Sequence, residues 1–396
     1  VKRISIVIAA AAAIVTVSMG VRQAFGLFLP DMSVELGIGR SSFGLALALQ
    51  NLLFGLLQPF TGALGDKYGA GRLVAAGAVV YALGLIGASF AGGAIGLYLS
   101  FGLLVGMAMS ATTFVTVLGA VGRVVPAEKR SLAFGIVTAG GSVGQFLVVP
   151  GGQMLIAEFG WRNALVALAG LISVMIVLAI GVAGRPAQAT EAGADQSLGE
   201  ALREARGHRG FWLLNAGFFV CGFHIAFIGT HFPAYLTDKG LGLSTGASAL
   251  ALVGLFNILG SWFFGVGGDR WSKKGMLAWL YAARSVVMIA FLLAPLSQTS
   301  ALVFAGAIGF LWLGTVPLTS GLIGQIFGIR YLSTLYGIVF LSHQVGSFFG
   351  AWSAGLMFDW TGSYDSVWIA SVALGFIAAA LHLPIPDRPV ARLQAA

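Results

Sequence analysis

The sequence predicts an all-α membrane protein with twelve transmembrane helices packed as two six-helix bundles. The first observation is compositional: of 396 residues, 58% are hydrophobic and 9% charged, where soluble domains carry roughly 25% charged. Apolar runs recur along the whole chain, each of about 20 residues and so able to cross about 30 Å of hydrocarbon as a helix. The second is a charged stretch between two such runs, Gly62-Ala-Leu-Gly-Asp-Lys-Tyr-Gly-Ala-Gly-Arg72. It returns in part as Gly265-Val-Gly-Gly-Asp-Arg-Trp-Ser-Lys-Lys274, with Asp269 standing 203 residues after Asp66. The third is that Ser131-Leu-Ala-Phe-Gly-Ile-Val through Gly144 lies over Ser333-Thr-Leu-Tyr-Gly-Ile-Val through Gly346 at an offset of 202, which also drops Gly160 onto Gly362. Two copies of one hairpin loop and of one glycine-bearing span imply two copies of one bundle.

Taken in order, the apolar runs predict spans at 4–30, 41–64, 73–91, 94–120, 131–156 and 163–183 in the first half. The first shows no small-residue cleavage site before Arg22 and is read as a retained helix. The second runs into the Gly62–Arg72 stretch, read as a tight surface turn. Gly184 to Arg209 is polar, rich in Ala and Gly, and weakly helix-forming from Ser197, the composition of a linker. The second half predicts spans at 211–236, 246–266, 276–296, 300–322, 334–358 and 365–383. The organisation is therefore a bundle over 1–184, a cytoplasmic linker over 185–209, and a bundle with a short tail over 210–396. Pro59, Pro150 and Pro317 are expected to interrupt and bend their spans. The 58 glycines suit helices that approach closely in lipid.

Charge supplies the orientation. Seventeen Lys and Arg fall in loops on the side of the N-terminus, against Arg40, Arg162 and Lys239 on the other. This positive-inside bias puts both termini in the cytoplasm, and the excess of Arg over Lys points to a bacterial inner (plasma) membrane. The net charge of +8 is thus a property of loops facing a lipid bilayer, with no nucleic-acid partner expected. One cysteine, Cys221, excludes an internal disulfide. No nucleotide loop, dinucleotide glycine fingerprint, metal-protease motif or Cys/His cluster occurs. The expectation is a non-enzyme working as a monomer, with no cofactor and no metal.

Charged residues inside the spans carry the functional argument, because a charge in hydrocarbon needs a partner or a watery cavity. Arg22 and Arg284 lie within spans, and no Asp or Glu sits near the midpoint of any. Cations without interior acids suggest that the counter-charge arrives with the substrate, a small organic anion. Arg22 is placed nearer the outer face than the middle; it is a guanidinium that can fork onto a carboxylate, or else a snorkelling or helix-bonding arginine. For Arg284 a buried structural role is expected. His224, His231 and His343 also lie within spans, each able to change charge near neutral pH or simply to pack with a hydrogen bond. His224 and His231 are seven residues apart and share a helix face. Gln145, Gln344 and Asn257 are amides at comparable depth, as are Gln50 and Asn51.

The loop pattern Gly62, Asp66, Lys67, Gly69 and Arg72, with its partial copy at Gly265, Asp269, Arg270, Lys273 and Lys274, resembles the signature of the major facilitator superfamily. That resemblance covers nearly the whole chain and implies two parallel six-helix halves with a substrate site between them at mid-membrane. Arg22-Gln-Ala-Phe-Gly-Leu-Phe and Gly141-Ser-Val-Gly-Gln-Phe with Pro150 and Gly160-Trp-Arg are similar to the monocarboxylate transporter and oxalate/formate antiporter branch. The resemblance implies alternating access to a small organic anion, with a proton or in exchange for a counter-anion. It places a Lys of monocarboxylate transporters at Arg22 and a Lys of the antiporters at His343. An arginine common in that branch is replaced by Ser261, which detaches the substrate from the family pattern.

The expected substrate-binding set is Arg22, His343, Gln145, Gln344, His224 and Asn257, with His343 and His224 as proton-coupling groups. Gly62, Asp66, Lys67, Arg72, Asp269 and Arg270 form a conformational loop, Asp66 pairing with basic residues such as Arg123 and Arg130. Alternatives are an exporter of a drug-like or neutral solute, an anion exchanger, and a membrane sensor that keeps the fold without transporting.

Overall fold

Apolar runs in lipid must satisfy every backbone group internally, so they become helices. The computed structural model describes residues 2–125, 127–183, 196–328 and 331–394. It opens with α1 (Lys2–Gln23), a 3-10 turn (Phe25–Phe28) and α2 (Leu29–Glu35), followed by α3 (Arg40–Tyr68) and α4 (Ala70–Ser89). A broken span follows: α5 (Ala94–Leu97), π-helical Tyr98–Val105, α6 (Gly106–Thr112) and α7 (Phe114–Val124). Next come α8 (Ala127–Leu178), α9 (Leu198–Gly207), α10 (Arg209–Asp238), α11 (Leu243–Arg270) and α12 (Lys273–Leu293). The chain closes with α13 (Gln298–Phe310), α14 (Thr315–Phe327), α15 (Leu332–Thr361), α16 (Asp365–His382) and α17 (Ala391–Gln394). Ten stretches of the described residues are helical, long and apolar enough to cross a membrane.

The repeat read from the sequence has a backbone counterpart. α8 is broken at Gly160 (φ 76°) and the α15–α16 junction turns at Gly362 (φ 69°), conformations that glycine adopts without steric cost. A second pair, Gly37 (φ 59°) and Gly240 (φ 84°), precedes Gly39 and Gly242, the residues that start α3 and α11. Helix contacts repeat as well. A Cβ on Gly144 would strike the carbonyl of Thr16 on α1, and one on Gly346 would strike the carbonyl of Phe219 on α10. These glycines let α8 lie against α1 and α15 against α10 with backbones nearly touching. Buried apolar residues form two cores. The larger part of one gathers α1 to α8, with Phe28, Phe43, Tyr81, Phe101 and Trp161; the other gathers α10 to α16, with Tyr281, Phe291, Phe304, Trp312 and Trp368.

Three expectations change. The Gly62–Arg72 stretch is mostly helix: α3 continues to Tyr68, α4 starts at Ala70, and Gly69 alone (φ 92°) makes the turn. Its copy is short too, with α11 ending at Arg270 and Ser272 capping α12 by accepting the Gly275 N–H. Pro59 lies inside continuous α3, Pro150 lies inside the first part of α8, ten residues before its break at Gly160, and Pro317 lies in the first turn of α14. The real interruptions lie elsewhere, at Thr113 (φ −114°, ψ −159°) and between Phe310 and Thr315. Near the first, the hydroxyls of Thr112 and Thr113 donate to the carbonyls of Ala108 and Met109. Finally, α2 extends the first span to Ile4–Glu35, so Arg22 lies just past its midpoint and not near its end.

The phrase Gly160-Trp161-Arg162 is a clamp. Trp161 Nε1 and Arg162 Nε (2.9 Å) donate to Glu35 of α2, while Arg162 Nη1 donates to the carbonyls of Ser89 and Ala91 past the end of α4.

Candidate functional site

Arg22 sits in the last turn of α1, half-buried, where the helix tightens into the 3-10 turn. One guanidinium nitrogen, Nη2, donates to Asn51 Oδ1 on α3 at 2.5 Å. Its carbon lies 5.8 Å from the centroid of the Phe54 ring. Asn51 and Phe54 are three residues apart and share a face of α3. The Phe54 ring meets Phe340 of α15 edge-on at 5.9 Å, and Phe340 stacks on His343 at 5.5 Å with the planes 4° apart. Two aromatic rings thus join the cation of α1 to the imidazole of α15, across the contact between the two cores.

His343 is 6% exposed and Gln344 is 1% exposed. The Nδ1 of His343 lies 3.1 Å from Gln344 Oε1. That contact leaves Gln344 Nε2 as a buried donor without a partner. Such an orphan in a dry site costs about 1–3 kcal/mol unless a ligand accepts its hydrogen bond. Gly55 makes room here, since a Cβ on it would come 2.7 Å from Gln344 Cγ. No ion pair to Arg22 occurs among the described residues. A guanidinium with no acidic partner among the described residues, an unpartnered amide N–H and an imidazole thus lie along one run of contacts, with the Phe54 and Phe340 rings between the first and the last.

The other residues singled out in the sequence are spent on helix contacts. Gln145 Nε2 donates to the carbonyl of Leu250 (2.8 Å), and Asn257 Nδ2 donates to Ser142 Oγ (2.9 Å), both tying α8 to α11. Asn257 Oδ1 also accepts from the Leu313 N–H (3.0 Å) at the break before α14 and from the Ser261 hydroxyl (3.2 Å). His224 places Nε2 2.8 Å from the Ser371 carbonyl, on the face of α10 that meets α16. His231 shares that face. Among the described residues, no hydrogen bond links Gln145, Asn257 or His224 to the Arg22–His343 group.

Arg284 is 1% exposed and donates from Nε (3.0 Å) and Nη2 (2.7 Å) to the Leu311 carbonyl. Its Nη2 also donates to the Trp312 carbonyl, and Nη1 lies 3.5 Å from Cys221 Sγ. Leu311 and Trp312 are where α13 ends, so the guanidinium satisfies carbonyls left without helical partners. In the loop, Arg72 and Arg270 are exposed and Gly62 is half-buried; the side chains of Asp66, Lys67 and Asp269, like those of Arg123 and Arg130, lie outside the described residues.

Comparison with known families fixes the context. The model of the Major Facilitator Superfamily matches residues 11–316. The chain belongs to the Major Facilitator Superfamily. Among curated relatives it is similar to monocarboxylate transporter 13 of Rattus norvegicus, 27% identical over 377 residues that cover 93% of this chain and 85% of that protein. Monocarboxylate transporter 11 of Homo sapiens is 26% identical, with 96% of this chain and 82% of that protein covered. An uncharacterized MFS-type transporter, YcxA, of Bacillus subtilis (strain 168) is 25% identical, with 94% and 92% covered. In fold, the chain is similar to the crystal structure of a bacterial homolog of the human lysosomal transporter Spinster in an inward-facing, unoccupied conformation. That match has a TM-score of 0.79 at 16% identity and covers 96% of each chain. The protein is thus a multi-pass membrane transporter of this superfamily, and the resemblance to monocarboxylate transporters expected from the Arg22 and Gly141 phrases holds across the chain.

Proposed function

We propose that this chain is a secondary transporter that moves a small organic anion, a monocarboxylate in the simplest form, by alternating access and together with a proton. The observation that carries this reading is the Arg22 group: a mid-span cation held by a neutral amide and joined through two phenyl rings to a histidine whose neighbour Gln344 carries an orphan amide donor. A carboxylate would accept from Arg22 and Gln344, supply the missing counter-charge, and favour the imidazolium form of His343. Proton and anion would then bind cooperatively, each raising affinity for the other by the same factor. Phe54 and Phe340 would contact the apolar remainder of the substrate.

The same reading makes residues 1–184 and 210–396 the two moving halves, joined by the 185–209 linker, with both termini cytoplasmic in the inner membrane. The loop of Gly62, Asp66, Lys67 and Arg72, with Asp269 and Arg270, would then govern turnover and not substrate choice. Uptake into proteoliposomes tests the core of the proposal. Lactate or pyruvate should accumulate when the lumen is made alkaline, and the Arg22→Ala protein should take up neither. A second reading, export of a drug-like or neutral solute, draws on the ring-rich lining of Phe54, Phe218 and Phe340. It would be favoured if only uncharged compounds moved.

A further inference from the structure

The two halves are also held together at the end of the bundle where α3 begins. Arg40 forks onto Asp238 at the end of α10, with Nη1 2.5 Å and Nη2 2.6 Å from the carboxylate oxygens. Its guanidinium stacks 3.8 Å from the Phe358 centroid on α15. Asp359, also on α15, accepts from the N–H groups of Arg40 (2.9 Å) and Ser41 (2.8 Å). A carboxylate from one half therefore caps the α3 N-terminus of the other, where the helix dipole favours negative charge. A Cβ on Gly39 would strike Asp359, and one on Gly355 would strike the Arg40 carbonyl, so glycines on both sides allow this closeness.

Beneath the ion pair runs a hydrogen-bonded chain with a fixed sense. Arg40 Nη1 donates to the Tyr364 oxygen at 2.9 Å. Tyr364 Oη lies 3.1 Å from His231 Nδ1, and His231 Nε2 lies 2.7 Å from the Ala351 carbonyl. A carbonyl can only accept, so Nε2 carries a hydrogen, and Tyr364 donates its own hydrogen to a bare Nδ1. The chain as it stands, with every group paired, is that of a neutral imidazole. A proton on Nδ1 would take away the acceptor of the Tyr364 hydrogen, force the hydroxyl to turn, and put a second cation one hydroxyl away from Arg40. His231 is 0% exposed and Tyr364 2% exposed, so water cannot repair the mismatch while the latch is shut.

We propose that His231 is a proton-binding site that controls this latch: protonation of Nδ1 releases Arg40 from Tyr364 and Asp238 and opens the Arg40 end. The proposal rests on the alternating-access reading but not on any substrate. Charged and titratable groups facing His231 from its neighbours are Tyr364 on α16, Arg40 on α3 and Asp359 on α15. On α10 itself Asp238 and Tyr235 lie toward the same end, with Lys239 over the Tyr235 ring and Asp365 nearby. Glu35 of α2 is occupied by Trp161 and Arg162.

The test measures the latch without substrate. Spin labels at Val34→Cys (84% exposed) and at exposed Gln298→Cys, with buried Cys221 left in place, would report the distance between the halves at this end in lipid nanodiscs. Between about pH 7.5 and about pH 5.5, the ratio of open to closed distances should rise by about tenfold or more. One coupled proton limits the rise to about tenfold per pH unit. His231→Gln, whose amide can donate to Ala351 and accept from Tyr364, should stay closed across that range. Tyr364→Phe removes the hydroxyl link and should raise the open fraction at about pH 7.5 while flattening the response. A rise below about threefold in the unsubstituted latch overturns the proposal. So does a full response retained in His231→Gln, which would assign the proton to another group, or an unaltered response in Tyr364→Phe. Failure of anion uptake in a protein whose latch still opens with acid would overturn the substrate reading and leave this one standing.

Discussion

Asn51→Asp is the sharpest perturbation of the candidate site, because it changes charge with almost no change in shape. Asn51 Oδ1 already lies 2.5 Å from Arg22 Nη2, and the substitution turns that acceptor into a carboxylate. The arginine would then hold permanently the counter-charge that the substrate is proposed to bring. An anion entering would have to displace an intramolecular carboxylate and leave it desolvated beside its own charge. Loss of a buried charge-assisted pair costs about 2–5 kcal/mol, which corresponds to about 30-fold to several-thousand-fold weaker binding. The fold should survive, since the Arg22–Asn51 contact becomes an ion pair. Equilibrium binding of radiolabelled lactate or pyruvate to purified protein, with a thermal-unfolding control, reads both quantities. Asn51→Asp with anion affinity within a few fold of the unsubstituted protein would refute the assignment of Arg22 as the anchor.

Other substitutions separate site from scaffold. Arg284→Ala should leave the Leu311 and Trp312 carbonyls unpaired and destabilise the protein by about 1–3 kcal/mol for each orphaned group, measured by thermal unfolding in detergent. Any anion bound by the surviving folded fraction should bind with near-normal affinity. Gly346→Ala drives a methyl into the Phe219 carbonyl, and should cost about 1–3 kcal/mol; Gly144→Ala, its counterpart against Thr16, should cost a similar amount. His343→Gln should flatten the pH dependence of anion affinity in binding assays, because the ring is the titratable group of the Arg22 cluster. Full pH dependence in that variant would move the coupling proton elsewhere.

Much of this was legible before any coordinates, and the limits have physical reasons. Charge scarcity and apolar length give the class directly, because lipid admits only internally satisfied helices. Gly160 and Gly362 could be paired from sequence since a repeat preserves positions where only glycine fits the backbone. Arg22 and His343 stood out as polar groups in apolar runs, and they are joined in space. What joins them, Phe54 and Phe340, carried no signal because phenylalanine is ordinary in such helices. Gln145, Asn257 and His224 stood out equally, yet their partners are backbone carbonyls and a serine on neighbouring helices. Arg284 likewise pairs with carbonyls, which a search for acidic side chains cannot reveal. Glycine and charge end the apolar pattern over Gly62–Arg72 and so suggest a loop, although one residue with positive φ suffices to turn the chain. Arg40 stood out only as one of three basic residues on the outer side, and its partners Asp238 and Asp359 carried no signal of their own. Their pairing spans 198 and 319 residues of sequence, and nothing local marks it.

Passage of an anion through the Arg22 group is read most directly by proteoliposome uptake. Purified protein would be tested with lactate, pyruvate, oxalate, an aromatic acid and an uncharged amino acid analogue, each with and without an alkaline lumen. At least one carboxylate should accumulate, driven by the pH gradient, and Arg22→Ala should abolish that uptake in a folded protein. Uptake confined to uncharged compounds, or carboxylate uptake that Arg22→Ala leaves intact, would contradict passage of an anion through the Arg22 group.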